Sequence, residues 1–478
     1  MNKTLVTRLI VFFTLVIGVG LRTYKIQGPI ADWHSWRQAD TAAVARNFIK
    51  FGFDPLRPRY DDLSNIQSGK DNPMGWRMVE FPIYQSLALA GYKVFSRLSI
   101  EIWLRVISIA ASVGIALALY LLGKRYADWL TGWLACFFYS ILPYSVYYGR
   151  TTLPDTLMVF FALVCLLFCS RSFESESRIK LRPLIAGSVF GALSILTKPF
   201  GIFLLLPVLY FSLRRFRFEF KWFLLVGLQW AIIFLPLLVW RRWIAQFPEG
   251  IPVYGWLLNA NNIRFKGAWF YWLFAERVGR LILGYWGLIP LGLGILATNR
   301  KKEGLFFVLL LTGSLLYFII VAAGNVQHDY YQILILPAVA LSLAKGTSFL
   351  LTTNVFNWFL RYVVAVVSML FMVAFSFYTI RTYYWINRPE IVEAGHEADR
   401  LIPKDAKVIA PYSGDTAFLY QTNRQGWPLG FDIDKKISMG ATHYVTVAPT
   451  DSDFETRDLA KKYHVLVRND KFAIIELR

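Results

Sequence analysis

Long apolar runs separated by short polar segments occupy most of the chain between residues 101 and 381. Most of these runs are long enough to cross a hydrocarbon core of about 30 Å as a helix. They lie near residues 101–122, 127–148, 154–170, 183–198, 199–214, 221–242, 278–297, 303–323, 330–348 and 358–381. Together with a run at residues 5–21, they predict a membrane all-α bundle of about eleven transmembrane helices.

The segment before this bundle, residues 22–100, is too polar to cross a membrane but is rich in Trp, Tyr and Phe. This mixture is typical of the membrane interface, so we expect a first outer loop with interfacial helices. The run at residues 5–21 follows Lys3 and Arg8, and no small-residue cleavage site precedes the polar residues after it. An uncleaved anchor with a cytoplasmic N-terminus is therefore predicted.

The stretch 81–95 decides the orientation, because it is apolar but short for a membrane span. Four basic groups lie between the later runs: Lys124 with Arg125, the segment 171–182, Arg214 with Arg215 and Arg217, and Arg300 to Lys302. If 81–95 lies along the outer interface, all four groups are cytoplasmic, whereas all four are outside if it crosses. Positive charge concentrates on the cytoplasmic side, so the first arrangement is predicted, in a multi-pass inner (plasma) membrane protein.

The composition changes after residue 381 to that of a small soluble domain. Because the number of predicted spans is odd, this domain is expected in the periplasm or outside the cell. Helices are predicted at 389–401, 415–422 and 453–463, and strands at 407–411, 442–448, 464–469 and 472–477. The predicted division is a transmembrane domain, 1–381, which includes the loop 22–100, and a C-terminal α/β domain, 382–478.

The overall composition agrees with a bilayer environment, since 56% of the residues are hydrophobic and 17% are charged. An ordinary soluble fold could not bury that much apolar surface. The formal charge of +20 is divided among short clusters without a nucleic-acid motif, so no nucleic-acid partner is expected. Cys136, Cys165 and Cys169 lie inside apolar runs, where they are expected to pack. The sequence shows no nucleotide-binding, zinc or serine-nucleophile motif.

A candidate catalytic base, Asp40, lies in a polar segment that opens an amphipathic helix of about residues 37–51. A carboxylate held near a hydroxyl group can take its proton as a new bond forms at the oxygen. The structural alternative is an ion pair with Arg37, one turn away on the same helix face. His34 and Arg37 are candidate substrate-binding residues in the same segment.

Asp155 and Lys198 are candidates in the bundle itself. Asp155 begins an apolar helix directly after Pro154 and close to Arg150, which is also a candidate for substrate binding. An acidic first turn complements the helix dipole, but an ionisable residue at a membrane edge also favours function. Lys198, between two apolar runs, could reach the interface or neutralise a leaving phosphate. Its turn is predicted to face outward, against the positive-inside trend, which favours the phosphate.

Further candidates for substrate binding lie in aromatic-rich segments: Glu80, His328, Tyr330, Tyr331 and Arg264. Glu80 and His328 could bind a sugar or a metal, although helix caps and interfacial hydrogen bonds would explain them nearly as well. Arg264 could contact phosphate, although the tryptophans of its loop, 243–277, indicate an interfacial belt. No cofactor is certain. If a divalent metal such as Mg²⁺ or Mn²⁺ takes part, its candidate ligands are Asp40, Asp155 and His328.

Five of these elements, in this order, resemble the bacterial membrane glycosyltransferases of the GT-C fold. The likeness is to the superfamily of protein mannosyltransferases and aminoarabinose transferases (glycosyltransferase family 39-like), and it spans nearly the whole chain. The matching elements are the helix with Ala42 to Phe48, Glu80-Phe81-Pro82, Arg150 with Pro154-Asp155, Thr197-Lys198, and Tyr330-Tyr331 with Pro337.

The resemblance implies an inverting transfer of a sugar from a polyprenyl-phosphate donor to a hydroxyl of a lipid, glycan or protein acceptor at the outer face. The acidic residue of the first loop acts as the base in that family, which implies this role for Asp40. Asp155 would arrange the donor, the acceptor or a divalent cation, and Lys198 would contact the donor phosphate.

Two positions depart from the pattern of the family. Its usual Asp-Glu pair falls at Arg37-Gln38, which makes Asp32 a rival base, although Asp40 lies on the same helix face as Arg37. Phe81 stands where aminoarabinose transferases carry a lysine, which argues against their specific substrate.

A multi-span transporter or flippase for a lipid-linked or small polar substrate is the alternative function. Such proteins usually show charges in mid-span or internal repeats, whereas the ionisable residues here lie at span ends and no repeat is visible. A non-catalytic assembly or sensor protein would leave the acidic motifs unexplained. The sequence therefore favours an enzyme.

Overall fold

The computed structural model describes residues 3–174, 179–214, 218–297, 303–447 and 454–478. Contacts divide the chain into two compact units. The helical unit comprises Met1–Ile26, Val106–Arg241 and Tyr254–Thr382, and the mixed unit comprises Gln27–Arg105, Arg242–Val253 and Tyr383–Arg478. Both units are therefore assembled from segments that are far apart in the sequence.

The described residues are mostly helical. The α-helices are α1 Lys3–Arg22, α2 Ser35–Lys50, α3 Ile83–Val94, α4 Ile100–Tyr126, α5 Trp129–Ile141, α6 Pro143–Tyr148, α7 Asp155–Ser172, α8 Leu181–Thr197, α9 Leu206–Leu213, α10 Phe220–Ile244, α11 Trp256–Asn259, α12 Gly267–Phe270, α13 Leu288–Leu296, α14 Phe306–Ile320, α15 Ala322–Gln327, α16 Leu336–Thr352, α17 Trp358–Ile380, α18 Glu390–Leu401, α19 Thr416–Gln421, α20 Ile433–Ser438 and α21 Phe454–Lys462. Short 3₁₀ segments at Pro199–Leu205, Pro248–Gly250, Ala260–Phe265, Asp329–Ile335 and Arg381–Tyr384, and a π-helix at Tyr271–Ile282, complete the helical structure.

Six helical segments are long and apolar enough, by length and composition, to cross a membrane: Leu5–Arg22, Ile100–Tyr126, Asp155–Ser172, Phe220–Ile244, Asp329–Thr352 and Trp358–Tyr384. A helix rises 1.5 Å per residue, so about 20 apolar residues match the hydrocarbon thickness. Only 17% of the most apolar part of Phe220–Ile244 is buried. Its apolar side chains therefore lie on a surface that a bilayer would cover.

The other predicted spans coincide with shorter apolar helices at Trp129–Ile141, Leu181–Thr197, Pro199–Leu213 and Phe306–Ile320. The run predicted at 278–297 is divided between the π-helix and α13. Helices thus occur at all the predicted positions, and the predicted fold class, a helical membrane bundle with a small C-terminal α/β part, is confirmed. The number of membrane crossings stays a prediction.

Within the helical unit, basic and candidate site residues lie at opposite helix ends. Helix α7 begins at Asp155 and ends near Arg171, and α8 begins near Arg182 and ends beside Lys198. Three segments, 175–178, 215–217 and 298–302, lie outside the described residues, and they contain Arg215, Arg217 and Arg300 to Lys302 of the predicted basic groups. The orientation in the membrane stays a prediction.

The mixed unit contains a five-stranded sheet in the order β2-β1-β3-β5-β4. Its strands are β1 Lys407–Ile409, β2 Gln425–Trp427, β3 Ala441–Val447, β4 His464–Arg468 and β5 Phe472–Glu476. β1 pairs in parallel with β2 and β3, whereas β5 pairs antiparallel with β3 and β4. The predicted C-terminal helices and strands all appear, apart from the ends at Ala448 and Asp453, which lie outside the described residues.

Two short elements, β2 and α20, were not predicted. β2 has three residues with a glycine in the middle, which is too short for an alternating pattern to emerge. A Cβ on Gly426 would lie 1.7 Å from the backbone oxygen of Val408, so the close parallel pairing with β1 requires glycine there. Such a constraint appears only when the partner strand is known.

The first-loop residues and the C-terminal segment pack together in the mixed unit. Leu63 N donates to Gly426 O at 2.8 Å, and Gly426 N donates to Asp61 O at 2.9 Å, so the loop extends the sheet beside β2. Arg46 of α2 pairs with Asp61, and its guanidinium lies 3.8 Å from the ring centre of Tyr420. The predicted domain boundary between residues 381 and 382 stays a prediction.

We expect the Arg424→Met variant to be clearly destabilised. Arg424 is 1% exposed and donates to Asp399 Oδ1 at 2.6 Å and to the backbone oxygens of Ile402 and Pro403. Burial alone would raise the pKa of Asp399, but hydrogen bonds from Lys404 and Arg424 lower it to about 2. Loss of the arginine removes the donor to the two backbone oxygens and one of the two cations beside Asp399, which should cost about 2–3 kcal/mol of unfolding free energy in the full-length protein.

Arg400→Met is the matched control, because Arg400 also pairs with an acid but its side chain is 66% exposed. Exposed pairs contribute about 0–1 kcal/mol.

The folded-state pKa of Asp399 is lowered, so its contribution to the stability of the folded protein is present above about pH 4 and is lost as the pH falls toward 2. Equal destabilisation of the two variants would contradict the assignment.

Candidate functional site

In the helical unit, Asp155 and Lys198 form a buried ion pair at adjoining helix ends. Proline suits the start of a helix, so Pro154 places Asp155 in the first turn of α7. Lys198 has an extended backbone directly after α8, since the following Pro199 disfavours a helical conformation there. Nζ of Lys198 lies 2.7 Å from Oδ1 of Asp155, and the two side chains are 6% and 3% exposed.

Three aromatic rings surround the ammonium group of Lys198. Its Nζ lies 4.7 Å from the ring centre of Tyr331, 5.2 Å from that of Tyr330 and 5.6 Å from that of Phe200. These distances allow cation–π attraction. An ammonium has three donors, and Asp155 accepts from one of them, while Oδ2 of Asp155 has no hydrogen-bond partner among the described residues. The pair therefore keeps donor and acceptor capacity for a polar ligand.

Asp329 anchors the turn that carries the two tyrosines, a role that the sequence did not indicate. Its side chain accepts a hydrogen bond from Tyr148 Oη at 2.5 Å and lies 4.0 Å from Arg277 Nη1, and its backbone oxygen accepts from Tyr144 Oη at 2.6 Å. Asp329 itself is 1% exposed. The aromatic motif that contains Asp329 was visible in the sequence. Its contact with Tyr148 was not, because the two residues are 181 positions apart.

Arg150 and His328, both predicted site residues, belong to the helical unit as well. The guanidinium of Arg150 lies 5.3 Å from the ring centre of Tyr147, and its Nη1 donates to Lys25 O at 3.4 Å. The ring centre of His328 lies 5.5 Å from that of Tyr330. The histidine ring is thus beside the tyrosines that surround Lys198.

Arg264 is held by the backbone of its own loop and of a neighbouring helix end. Its Nη2 donates to Leu258 O at 3.1 Å and to Ile320 O at 3.3 Å. These contacts give Arg264 a structural explanation, and its predicted contact with phosphate stays a prediction.

In the mixed unit, Asp40 is buried among three donors. Its Oδ2 lies 3.0 Å from Arg77 Nη2 and accepts from Gln67 Nε2 at 3.1 Å, and its Oδ1 accepts from Thr416 Oγ1 at 2.7 Å. Arg77 also donates to the amide oxygen of Gln67. The exposed fraction of the Asp40 side chain is 0%. None of these three partners was predicted, because each is distant from Asp40 in the sequence.

Arg37 pairs with Glu80, so the structure brings together two predicted substrate-binding residues. The cation beside Asp40 is Arg77 and not Arg37, which was the structural alternative drawn from the sequence. A polar cavity of about 10 Å³ lies between these two pairs, lined by Arg37, Asp40, Thr41, Val44, Pro58, Arg77, Glu80, Pro82 and Gln85. Such a volume accommodates about one water molecule or one hydroxyl group.

His34 and Asp32 lie directly before α2. His34 has a left-handed backbone with φ of 55°, and its ring packs edge-on against Trp33. Asp32 accepts a hydrogen bond from Gln38 Nε2 at 2.8 Å. The rival base therefore has a partner in the first turn of the same helix.

Asp62 and Asp415 are two further acids whose charge affects the surroundings of Asp40. Burial raises the pKa of Asp62 to about 6, and hydrogen bonds from Ser64 oppose the rise. Burial also raises the pKa of Asp415 to about 6, opposed by the hydrogen bond from Ala417 N. The negative charge of Asp40 raises both pKa values further. Neither acid was predicted to belong to a site.

The described part of the chain contains no group of three or more His, Cys, Asp and Glu side chains that could hold a metal. The three predicted metal ligands have other contacts. Asp155 forms an ion pair with Lys198, Asp40 forms one with Arg77, and His328 packs against an aromatic ring. These donor sets do not fit a divalent cation. No step of the proposed reaction is therefore derived through a metal.

Comparison with known proteins supports a membrane glycosyltransferase fold. A family model described as dolichyl-phosphate-mannose-protein mannosyltransferase matches residues 82–240, which include Asp155 and Lys198. No curated protein matches the sequence. The structure is similar to ArnT from Cupriavidus metallidurans bound to undecaprenyl phosphate, with a TM-score of 0.66, 12% identity, and coverage of 100% of this chain and 99% of that chain.

Two other solved structures share the fold. The oligosaccharyltransferase of Archaeoglobus fulgidus, in complex with Zn and sulfate, matches with a TM-score of 0.55 and 12% identity over 92% of this chain and 68% of that chain. The arabinofuranosyltransferase AftD from Mycobacteria matches with a TM-score of 0.56 and 13% identity over 98% and 41%. The chain is an integral membrane protein with the GT-C fold, and the predicted resemblance is confirmed.

A double-mutant cycle should detect the Asp155–Lys198 pair directly. Asp155→Asn and Lys198→Gln each leave one buried charge without its partner, whereas the double variant removes both charges. We therefore expect the double variant to be more stable than the sum of the single losses predicts, with a coupling of about 1–3 kcal/mol. The measurement is the free energy of unfolding of the full-length protein in detergent.

Lys345 provides the control for this cycle, because it is a second buried lysine that pairs with Glu303 at 2.8 Å. The combination of Asp155→Asn with Lys345→Gln should be additive within about 0.5 kcal/mol. Additivity of Asp155→Asn with Lys198→Gln as well would mean that the observed pair contributes nothing.

Asp415→Asn should stabilise the protein at neutral pH. The folded-state pKa of Asp415 is raised to about 6, so the folded state binds more protons than the unfolded state between about pH 4 and pH 6. Stability therefore falls as the pH rises through this window, and the asparagine variant lacks that loss while it keeps an N-cap acceptor. Melting temperatures at pH 5 and pH 7 test this, with the exposed Asp458→Asn as control. A larger fall between these pH values in Asp415→Asn than in the unaltered protein would refute the assignment.

Proposed function

We propose that this protein is an inverting glycosyltransferase that moves a sugar from a polyprenyl-phosphate donor to a hydroxyl group of a lipid, glycan or protein acceptor. The GT-C fold and the partial match to a mannosyltransferase family support the reaction type. Two structural neighbours support the donor class, since ArnT was bound to undecaprenyl phosphate and the archaeal oligosaccharyltransferase was in complex with a dolichol-phosphate.

The observation that carries the proposal is the buried pair of Asp155 and Lys198 with its remaining hydrogen-bonding capacity. Burying a lysine among apolar helices is costly, so such residues commonly serve a function. Negative charge grows on the leaving phosphate as its bond to the sugar breaks, and a lysine ammonium stabilises that charge. Asp155 orients the ammonium, while its Oδ2, which has no hydrogen-bond partner in the described part of the chain, is an acceptor for a hydroxyl group of the donor or the acceptor substrate.

Asp40 is the proposed base. The acceptor oxygen forms a bond to the anomeric carbon, the bond from that carbon to the phosphate oxygen breaks, and its electron pair leaves with the polyprenyl phosphate. The proton of the acceptor hydroxyl passes to the carboxylate of Asp40. The small polar cavity that Asp40 lines supports this role, because its volume suits one hydroxyl group. Asp32 is the alternative base.

The other predicted site residues keep the role of substrate contacts in this proposal. They are Arg37, His34, Glu80, Arg150, His328, Tyr330, Tyr331 and Arg264. The transfer is proposed for the outer face of the membrane, since the basic groups of the sequence favour an orientation in which the ends of α7 and α8 that hold Asp155 and Lys198 face outward.

Lys198→Met should lower kcat/KM for sugar transfer by about 100-fold or more, because it removes the charge that stabilises the leaving phosphate. The assay incubates the purified full-length protein with a panel of polyprenyl-phosphate sugars and follows release of the polyprenyl phosphate. Lys345→Met is the matched control, since it removes a second buried, acid-paired lysine of the helical unit and should leave transfer within about threefold of the unaltered protein. Equal losses in both variants would indicate a general effect on folding.

Asp40→Asn and Asp32→Asn, measured in parallel, assign the base. Loss of transfer in Asp40→Asn alone supports the proposal, and loss in Asp32→Asn alone transfers the role to Asp32. The proposed function itself fails if the unaltered protein transfers no sugar from any polyprenyl-phosphate donor of the panel.

A further inference from the structure

Thr416, in the C-terminal segment, contacts the candidate base from the far end of the sequence. It begins helix α19, whose preceding residue Asp415 accepts a hydrogen bond from Ala417 N at 2.7 Å and so caps the helix. The Thr416 hydroxyl lies 2.7 Å from Oδ1 of Asp40 and 3.2 Å from the backbone oxygen of Trp36. A hydroxyl has one proton, and the closer, charged oxygen binds it more strongly.

The hydrogen bonds of Asp40 leave one direction open for a further donor. A carboxylate has about four acceptor positions, two on each oxygen. Among the described residues, Gln67 donates to Oδ2, beside which the Arg77 guanidinium lies at 3.0 Å, and Thr416 donates to Oδ1. Oδ1 therefore keeps one acceptor position, and the hydroxyl of Thr416 determines which side of that oxygen this position faces.

We infer that Thr416 is a positioning residue for Asp40, which aims the free acceptor position of Oδ1 at the hydroxyl group that gives up its proton. This inference rests on the proposed role of Asp40 as the base. It assigns to the C-terminal segment a part in the transfer reaction, because α19 brings the hydroxyl to α2 within the mixed unit. Thr416 is 5% exposed, and its branched side chain restricts the rotation of the hydroxyl further.

A purely structural role for Thr416 predicts different results. If the hydroxyl only joined α19 to α2, its loss would lower stability and activity together and leave the pH dependence of the reaction unchanged. A positioning role predicts a fall in kcat at little cost in stability. It also predicts a change in the acid limb of the pH profile, since a carboxylate that loses a donor is protonated at higher pH.

Several charged groups affect the same carboxylate and enter the design of the test. Arg77 is its ion-pair partner, and the charges of Asp62 and Asp415 interact with it. Arg37 and Glu80 line the adjoining cavity, and His34 acts on Asp415. Asp415 is next to Thr416 and titrates near pH 6, so the pH comparison is made both in the unaltered background and in Asp415→Asn.

The test compares Thr416→Val, Thr416→Ser and Thr422→Val in the full-length protein. Thr416→Val should lower kcat about 10- to 100-fold and move the acid limb of kcat/KM upward by about half a pH unit or more, in both backgrounds. Thr416→Ser retains the donor and should keep at least about a third of the unaltered kcat. Thr422→Val is the matched control, because this buried threonine at the other end of α19 donates to Leu419 O at 2.7 Å and not to Asp40.

The inference is wrong if Thr416→Val retains its kcat and pH profile, or if Thr416→Ser loses as much activity as Thr416→Val. It is also wrong if Thr422→Val causes the same loss. If Thr416→Val does not fold, Thr416→Ser alone tests the inference. A retained kcat supports it, and a lost kcat contradicts it. Failure of the proposed base appears separately, as full transfer by Asp40→Asn.

Discussion

A charge inside an apolar bundle must have a partner, and the ion pair of Asp155 with Lys198 meets this constraint at the centre of the candidate site. Both side chains are almost fully buried, so either charge alone would carry a large desolvation cost. The pair forms where the start of α7 meets the end of α8. Asp155 follows Pro154 and begins α7, and Lys198 follows the last residue of α8 and precedes Pro199. Two proline positions therefore determine where the charges meet. The aromatic rings around Lys198 add cation–π attraction to its ammonium group.

The same constraint organises the mixed unit, where the buried charges come from segments that are distant in the sequence. Asp40 requires Arg77 and Thr416, Arg46 requires Asp61, and Arg424 requires Asp399. Thr416 of α19 donates to Asp40 of α2, the Arg46–Asp61 pair joins α2 to the first loop, and the Arg424–Asp399 pair joins the residue before β2 to α18. Removing one partner weakens the compensation of a buried charge, so these contacts stabilise the association of the segments. Hydrogen bonds between Leu63, Asp61 and Gly426 add backbone pairing to these ionic contacts.

The sequence predicted the features that depend on neighbouring residues along the chain. Apolar runs marked the helices of the bundle, because burial in a bilayer requires continuous hydrophobic length, and shorter apolar runs marked β3 to β5. Asp155, Lys198 and the Tyr330-Tyr331 turn were identifiable because ionisable or polar residues interrupt apolar sequence. Arg77, Thr416 and the Asp329–Tyr148 contact were not, since each depends on a tertiary contact that a single sequence does not display. The predicted Arg37–Asp40 alternative illustrates the limit: residues one turn apart share a helix face, yet Arg37 pairs with Glu80 across 43 positions.

Asp40, the proposed base, accepts hydrogen bonds from Gln67 and Thr416 and lies beside the Arg77 guanidinium, so its orientation depends on three contacts. In glycosyl transfer through an oxocarbenium-like transition state, much of the barrier lies in breaking the bond to the leaving group. The acceptor hydroxyl becomes acidic as its oxygen bonds to the sugar, so the position of the base matters more than its strength. Thr416 and Lys198 are thus buried side chains that contact acids, one in each unit, and we propose that the first orients the base and the second stabilises the leaving phosphate.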